Sequence, residues 1–254
     1  MAKILILGGT TEARQLAERL AGRADLDVTL SLAGRTASPV PHPVPIRVGG
    51  FGGVAGLAAH LAVERIDALI DATHPYATVI SRNAALAARS TAVPFVALRR
   101  RPWMAVAGDR WIEVGDTGAA VSAIGAERRG VFVALGRNEL AAFAGTPQHW
   151  YLIRSVDPVD PPLPLPHVTY INARGPFSET NDRALMAAHR IDVVISKNSG
   201  GNAAYGKIAA ARALGIEVIM LRRPLAPDAP AIETIDDAVT WLDHALTSAP
   251  ARGV

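Results

Sequence analysis

Short aliphatic runs alternate along the chain with longer amphipathic segments, and glycines stand at many of the junctions. Strands buried on both faces have continuous aliphatic sequences, whereas helices repeat about every 3.6 residues. The order strand, glycine, helix, strand is typical of βαβ units and predicts a parallel sheet. In the first half the predicted strands are 3–7, 28–32, 46–48, 68–71 and 94–98, and the predicted helices are 12–20, 57–63 and 81–88.

The second half repeats the pattern of the first. Each copy ends with two arginines, a proline, a short strand and a helix that begins near an aspartate. The repeat predicts an α/β protein of two similar Rossmann-like parallel-sheet domains, formed by tandem duplication, with a cleft between them. The segments that recur in the same order are 3–7 and 131–135, 50–51 and 175–177, 66–71 and 191–196, and 95–100 and 218–223.

The shared ending of the two copies makes the domain boundary ambiguous. It falls between Arg99 and Gly130, and the predicted helix 116–124 fits either half. We place the domains at 1–103 and 104–254. Ligands of such sheets bind at the carboxyl ends of the strands, so the residues that follow each strand are the candidates for chemistry.

Composition and charge exclude several classes of protein. With no cysteine, the chain has no disulfide, thiolate metal site or cysteine nucleophile, and its seven histidines lack metal-ligand spacing, so we expect no metal. A net charge of +3 with scattered arginines argues against nucleic acid, and the cluster 99–101 suits an acidic small molecule instead. Without a signal peptide or an apolar run near the roughly 20 residues of a membrane span, we expect a cytoplasmic protein away from membranes.

A glycine-rich turn follows the first strand and opens a helix. Gly8 and Gly9 let the backbone approach a ligand closely, and the helix N-terminus offers its amides to a pyrophosphate. The hydroxyls of Thr10 and Thr11 are candidate phosphate donors, and Glu12 lies in the first helical turn. The third glycine of GxGxxG is absent, and a plain helix start with Thr11 as N-cap is the alternative. The position after the first strand favours a dinucleotide site.

Two neighbouring loops bear on the choice of cofactor. Dinucleotide folds carry an acid after the second strand for NADH, or an arginine for the 2′-phosphate of NADPH. This chain has Ser31 and Arg35 there and no acid, which favours NADPH; an exposed loop arginine is the alternative. In the glycine-rich turn 49–53, Gly50 and Phe51 are candidates for cofactor contact, with a mobile lid or a plain loop as alternatives.

The loop after the strand 68–71 combines a histidine and a tyrosine in the sequence Asp-Ala-Thr-His-Pro-Tyr. Thr73 and His74 are predicted to contact the cofactor. His74 and Tyr76 are also candidate catalytic acids, because both rings titrate and both can lie along a cofactor. A structural histidine beside a proline is the alternative.

The corresponding loop of the second half, 196–201, concentrates one cation with several hydrogen-bond donors. Lys197, Asn198, Ser199 and Gly201 are predicted to form a cradle for carboxylates, with a solvated turn as the alternative. Lys197 is also a candidate catalytic residue. The other residues predicted to bind an anionic substrate are Arg14, Arg137, Arg174 and Tyr205, with Arg154 at a neighbouring strand end.

Together these motifs resemble the precorrin-6A reductase family of the cobalamin pathway. The resemblance runs in order from residue 3 to about 224, and its most specific blocks are Asp-Ala-Thr-His-Pro and Ser-Lys-Asn-Ser-Gly-Gly. The matching segments are ILILGGTTEAR (4–14), AGR (33–35), GGFG (49–52), DATHPYA (71–77), RN (82–83), RGPF (174–177) and SKNSGG (196–201).

The resemblance implies an oxidoreductase that converts precorrin-6A into precorrin-6B. One double bond of the macrocycle would accept a hydride from NADPH, and a proton would be added at the adjacent carbon. The first domain would then bind NADPH and the second the tetrapyrrole, whose many acetate and propionate groups suit the cations named above. The oligomeric state, monomer or dimer, stays open.

Three alternative functions remain at this point. One is an NADH-dependent cobalt-precorrin-6A reductase of the anaerobic route, which belongs to a related family. The second is a non-catalytic protein that binds a dinucleotide or a tetrapyrrole. The third is a two-domain glycosyl- or methyltransferase with a nucleotide-type donor. Arg35 favours NADPH and the cobalt-free substrate, and the motif blocks favour the reductase.

Overall fold

A computed structural model describes residues 1–34 and 41–248 as two compact units. One unit contains Met1–Arg101 and the segment from Pro224 onward, and the other contains Pro102–Arg223. Each unit is a parallel sheet with flanking helices, which confirms the predicted α/β class with two similar halves. Among the described helices, none is long and apolar enough to cross a membrane.

The first unit has the strand order of a dinucleotide-binding fold. Over its described residues six parallel strands lie in the order β3-β2-β1-β4-β5-β12, which is the Rossmann order with its switch point between β1 and β4. Its elements are β1 (Ala2–Leu7), α1 (Thr11–Leu20), β2 (Leu26–Leu32), β3 (Ile46–Val48), α2 (Gly53–Val63), β4 (Ala68–Asp71), α3 (Thr78–Thr91), β5 (Phe95–Leu98), β12 (Ala231–Ile232) and α8 (Ile235–Ser248).

The second unit repeats this order with its own strands. All the residues of this unit are described, and six parallel strands lie in the order β9-β8-β7-β10-β11-β6, with the switch point between β7 and β10. Its elements are β6 (Trp111–Val114), α4 (Thr117–Ile124), β7 (Gly130–Ala134), α5 (Arg137–Leu140) with a 3-10 turn (Ala141–Gly145), β8 (Trp150–Ser155), β9 (Val168–Asn172), α6 (Glu179–Ala188), β10 (Val193–Lys197), α7 (Gly206–Leu214) and β11 (Glu217–Leu221).

The last strand and helix of each copy are exchanged between the two sheets. After β5 the chain enters the second unit, where β6 pairs with β11 and α4 packs on both strands. After β11 it returns, and β12 pairs with β5. The structure therefore corrects the division into 1–103 and 104–254, because the segment from Pro224 onward belongs to the first unit. Both endings consist of arginines, a proline, a short strand and a helix, so the sequence alone does not show which sheet each ending completes.

Both faces of the first sheet are buried, as a parallel sheet requires. On β1, Ile4 and Ile6 face the layer that contains α1 and α8, whereas Leu5 and Leu7 face the layer of α2 and α3. Leu242 of the returning helix α8 is fully buried in the first of these clusters. The exchanged helix is thus part of the core of the first unit.

Replacing Leu242 with alanine should destabilise the first unit selectively. Loss of a fully buried leucine costs about 2–5 kcal/mol, so amides in α1 and β5 should exchange faster while those of β10 keep their protection. Hydrogen exchange read by mass spectrometry measures this. The control is Thr240→Ala, at an exposed position of the same helix. Equal loosening of both units by Leu242→Ala would contradict the assignment of α8 to the first core.

Candidate active site

The turn after β1 lies at the carboxyl edge of the first sheet, beside the switch point. A Cβ at Gly8 would lie 2.6 Å from Leu30 Cδ1, so this glycine permits close packing of the turn on β2. Gly9 has a φ of +110°, and a Cβ there would meet nothing within 4 Å. The backbone is therefore open to a ligand at Gly9, in the manner that a phosphate-binding turn requires.

Thr10 is the N-cap of α1, in place of the Thr11 cap that the sequence offered as an alternative. Its Oγ1 accepts a hydrogen bond from the Ala13 amide at 3.1 Å and donates one to the Ala72 carbonyl at 2.8 Å. The Thr10 hydroxyl proton thus points to the Ala72 carbonyl, and its donation to a phosphate stays a prediction. The amides of Thr11 and Glu12 lie in the first turn of α1, where no intrahelical carbonyl accepts from them, and they present the positive end of the helix dipole.

The carboxylate of Glu12 forms an ion pair with Arg100, and both side chains are largely buried. An unpaired carboxylate at this helix N-terminus would repel a pyrophosphate, so Arg100 removes an obstacle to anion binding. Arg101 pairs with Glu233 at 2.5 Å on the surface. The arginine cluster 99–101, which the sequence matched to an acidic small molecule, thus contacts acidic residues of its own unit.

Asp71, at the end of β4, is fully buried and fully hydrogen-bonded. Its Oδ1 accepts from the amide and hydroxyl of Thr73 at 3.0 and 2.6 Å, and its Oδ2 pairs with Arg99. Arg99 also donates to the Asp71 carbonyl at 3.0 Å and to the Ser81 hydroxyl at 2.9 Å. This network fixes the loop that follows β4 at the switch point.

His74 and Tyr76 lie together in that loop, and each is partly exposed. Their ring centroids are 5.6 Å apart, and the Tyr76 amide donates to His74 Nδ1 at 3.3 Å. With Nδ1 as acceptor, a neutral His74 carries its proton on Nε2. Among the described residues, no group of three or more His, Cys, Asp or Glu is arranged to hold a metal ion.

Arg47 on β3 organises the glycine-rich turn that contains Gly50 and Phe51. Its guanidinium donates to the carbonyls of Gly49 at 2.7 Å and Gly50 at 2.8 Å, and its Cζ lies 3.7 Å from the centroid of the Phe51 ring. Burial, and secondarily the charge of Arg47, lowers the pKa of His60, whose ring packs on Phe51. The predicted 2′-phosphate contact, Arg35, lies outside the described residues.

Lys197 ends β10, at the switch point of the second sheet. Its Nζ lies 2.6 Å from Glu139 Oε1, and the two side chains are 17% and 27% exposed. A Cβ at Gly136 would lie 2.7 Å from Glu139 Oε2, so the carboxylate packs closely against this glycine beside the end of β7. The predicted cation is therefore present at the edge of the sheet, held by a partner from the facing βα turn.

Asn198 has a structural task that the sequence did not indicate. Its side-chain amide forms two hydrogen bonds with the backbone of Trp103, accepting at 2.8 Å and donating at 2.9 Å, and the residue is buried. The Trp103 indole donates to the Gly201 carbonyl at 2.9 Å. The loop after β10 thus binds the segment by which the chain enters the second unit. This gives Asn198 a structural role, and its contact with a substrate stays a prediction.

Ser199 and Tyr205 accept hydrogen bonds from arginines of β11's end and of α7. Arg223 donates to the carbonyls of Asn198 at 2.7 Å and Ser199 at 2.8 Å. Arg212 donates to the Tyr205 hydroxyl. The place of Ser199 in a carboxylate cradle stays a prediction, and the Tyr205 ring packs against the Trp103 ring.

The remaining predicted cations have different surroundings. Arg14 pairs with Glu18 at 2.7 Å on the outer face of α1. Arg137 and Arg174 are exposed, at the start of α5 and after β9. The structure thus puts Arg137 and Arg174 at the carboxyl edge of the second sheet, and Arg14 on the first unit.

Arg154, the cation at the end of β8, is buried. It pairs with Asp182 at 2.5 Å, and its Cζ lies 3.6 Å from the centroid of the Phe177 ring. A buried and paired guanidinium of this kind positions the loop that contains Phe177. It is not a free cation for a substrate.

Three residues that shape these sites were missed by the sequence analysis: Arg47, Glu139 and Trp103. Arg47 stands in a strand of three residues, where nothing local shows that its side chain turns toward the glycine-rich loop. Glu139 has one local signal, which is the glycine three residues before it. The contact of Trp103 with Asn198 spans 95 residues and depends on the exchange of segments, which no local pattern reveals.

The chain matches the family model described as precorrin-6x reductase CbiJ/CobK over residues 3–243. A precorrin-6A reductase of Sinorhizobium sp is 55% identical over 97% of this chain and 95% of the relative. A precorrin-6A reductase of Rhodobacter capsulatus is 46% identical over 100% of both chains. A cobalt-precorrin-6A reductase of Priestia megaterium is 29% identical over 96% of this chain and 98% of the relative.

The fold agrees with these similarities. A solved structure described as a CobK precorrin-6A reductase superposes with a TM-score of 0.93, at 45% identity and with 100% of both chains covered. Similarity of this extent in both sequence and structure goes far beyond a shared Rossmann fold, which alone hosts many activities. The chain therefore belongs to the precorrin-6x reductase family of oxidoreductases, as its motifs predicted.

Proposed function

We propose that this chain is an NADPH-dependent precorrin-6A reductase, which forms precorrin-6B in cobalamin biosynthesis. The observation that carries the proposal is the similarity to precorrin-6A reductases over nearly the whole chain. The cobalt-precorrin-6A reductases are much less similar, which supports a cobalt-free substrate.

The first unit suits a dinucleotide at the carboxyl edge of its sheet. The open backbone at Gly9 and the amides of Thr11 and Glu12 fit a pyrophosphate, and the Arg100 ion pair cancels the one carboxylate in that turn. The nicotinamide is proposed to lie along the loop at Thr73. The switch point between β1 and β4 is where dinucleotides bind in sheets of this order.

The reaction needs a hydride, a proton and fixed geometry. A reduced nicotinamide supplies the hydride. Asp71 and Arg99 hold the loop after β4, so that Thr73 and His74 keep their places. The proton is proposed to come from one of the candidate catalytic side chains, which are His74, Tyr76 and Lys197.

The second unit is proposed to bind the carboxylates of the tetrapyrrole. Lys197 is fixed by Glu139 at the end of β10, and Arg137 and Arg174 lie exposed at the same edge of the sheet. Charge-assisted hydrogen bonds from such cations suit acetate and propionate groups. The role of Ser199 is to add a donor from the neighbouring loop.

Turnover of precorrin-6A should require NADPH. Purified protein should consume NADPH and precorrin-6A in equal amounts, with a kcat/KM at least about tenfold higher than with NADH, equivalent to about 1.4 kcal/mol. Absorbance of the nucleotide and mass spectrometry of the product measure this. In the Arg35→Ala variant the preference for NADPH should shrink. Binding without turnover would support the sensor alternative, and a preference for NADH with cobalt-precorrin-6A would support the anaerobic one.

Loss of Arg100 should weaken the binding of NADPH and of NADH equally. In Arg100→Ala, the uncompensated Glu12 carboxylate faces the shared pyrophosphate, so Kd for NADPH and for NADH should each rise about tenfold. Fluorescence titration measures both constants. In a Glu12→Gln background the same Arg100→Ala change should have much less effect. An undiminished effect in that background would show that Arg100 acts by another route.

Replacement of Lys197 should affect the tetrapyrrole and not the nucleotide. For Lys197→Met we expect KM for precorrin-6A to rise about tenfold or more, which is the range for loss of a charge-assisted contact, with an unchanged Kd for NADPH. Steady-state kinetics and nucleotide titration measure the two effects. The control, Arg128→Ala, removes an exposed cation just before β7, at the opposite edge of the same sheet. An equal rise in KM for the control would make the effect one of net charge.

A further inference from the structure

Arg47 lies beside the end of β2, which is where a dinucleotide-binding fold contacts the adenosine ribose. Its register partner on β2 is Ser31, and its Nη1 lies 3.4 Å from the Ser31 hydroxyl. The carbonyl of Ser31 in turn accepts from the Gly8 amide at 2.9 Å. The phosphate turn after β1, the end of β2 and the Arg47 guanidinium therefore follow one another along one edge.

Dinucleotide folds recognise the ribose at the end of the second strand by the charge found there. A carboxylate binds the free 2′-hydroxyl of NADH, whereas an arginine accommodates the 2′-phosphate of NADPH. In this chain the strand end carries the neutral Ser31, and neither β3 nor the turn after it contains an acid. A cation without a competing carboxylate at this position is suited to a dianionic group.

The Arg47 side chain is held ready for such a group. Hydrogen bonds to the carbonyls of Gly49 and Gly50 fix the plane of the guanidinium, and the Phe51 ring covers one of its faces. Of its five N–H groups, Nη1 uses two and Nη2 one within the described residues, so Nε–H and the second Nη2–H remain for a ligand. A preorganised fork loses little side-chain entropy on binding a phosphate.

We propose that Arg47 is a specificity-determining residue, which binds the 2′-phosphate of NADPH from β3. The inference rests on the proposed function, because it assumes that the first unit binds the cofactor. It is separate from the role predicted for Arg35, and the two arginines would approach the phosphate from different segments. The opposing possibility is that Arg47 only supports the glycine-rich turn, in which case its loss would harm NADPH and NADH alike.

The test compares Kd for NADPH and NADH in the wild type, Arg47→Ala and Arg47→Lys. NADH lacks only the 2′-phosphate, so its Kd reports on the integrity of the turn. We expect Arg47→Ala to raise Kd for NADPH at least about tenfold while Kd for NADH changes less than about threefold. Arg47→Lys should give an intermediate loss, because it keeps the charge without the fork. The control, Arg19→Ala, removes a cation from the far end of α1 and should change neither constant.

A salt titration gives a second measurement, whose result would not change if Arg47 only supported the turn. Affinity for NADPH should fall more steeply with ionic strength than affinity for NADH, and this difference should shrink in Arg47→Ala. A parallel loss of both nucleotides in Arg47→Ala, or an unchanged preference for NADPH, would overturn the inference and leave the proposed function standing. Failure of the wild type to bind either nucleotide would instead overturn the proposed function and the inference with it.

Discussion

The buried ion pair between Asp71 and Arg99 is the constraint on which the first unit depends. Asp71 is fully buried at the end of a central strand, where an unpaired carboxylate would be strongly unfavourable. Arg99 and Thr73 offset that penalty through the ion pair and hydrogen bonds that they form with Asp71 in this loop conformation. The same conformation brings Thr73 and His74 to the switch point. The residues that make the fold possible are therefore the residues that shape the candidate active site.

The equivalent strand end of the second unit has different side chains and different hydrogen bonds. Ser196 replaces the buried aspartate, and its hydroxyl donates to the Lys197 carbonyl at 3.0 Å. No carboxylate stands at this strand end, and Arg223, which corresponds to Arg100 in the repeat, binds the carbonyls of Asn198 and Ser199. The charge at this strand end is then the Lys197 ammonium, balanced by Glu139. The two copies thus differ at equivalent strand ends, with a buried ion pair at Asp71 in the first and a lysine paired with Glu139 in the second.

The sequence predicted what depends on local pattern and failed where distant segments meet. Aliphatic runs and glycines located most strands, both switch-point loops and the turn at Gly8. The exchange of β6 and β12 was missed because both follow Arg-Arg-Pro and are equivalent as sequences, so only the tertiary fold decides which sheet each completes. The structural contacts of Asn198 and Arg154 were missed for a similar reason. A polar residue after a strand is a candidate ligand by position, and only the tertiary fold shows its partner, which is Trp103 for Asn198 and Asp182 for Arg154.

The arginines that hold the two switch-point loops lie close in sequence to the points where the chain passes from one unit to the other. Arg99 is three residues from Pro102, where the chain enters the second unit, and Arg223 directly precedes Pro224, where it returns. Each arginine therefore holds a switch-point loop and begins a crossing at once. The second crossing supplies α8, whose Leu242 completes the core under α1, so the first sheet is complete only after the second has been synthesised. The first unit is therefore built from two separate segments of the chain, and its sheet and core include residues that follow the second unit in sequence.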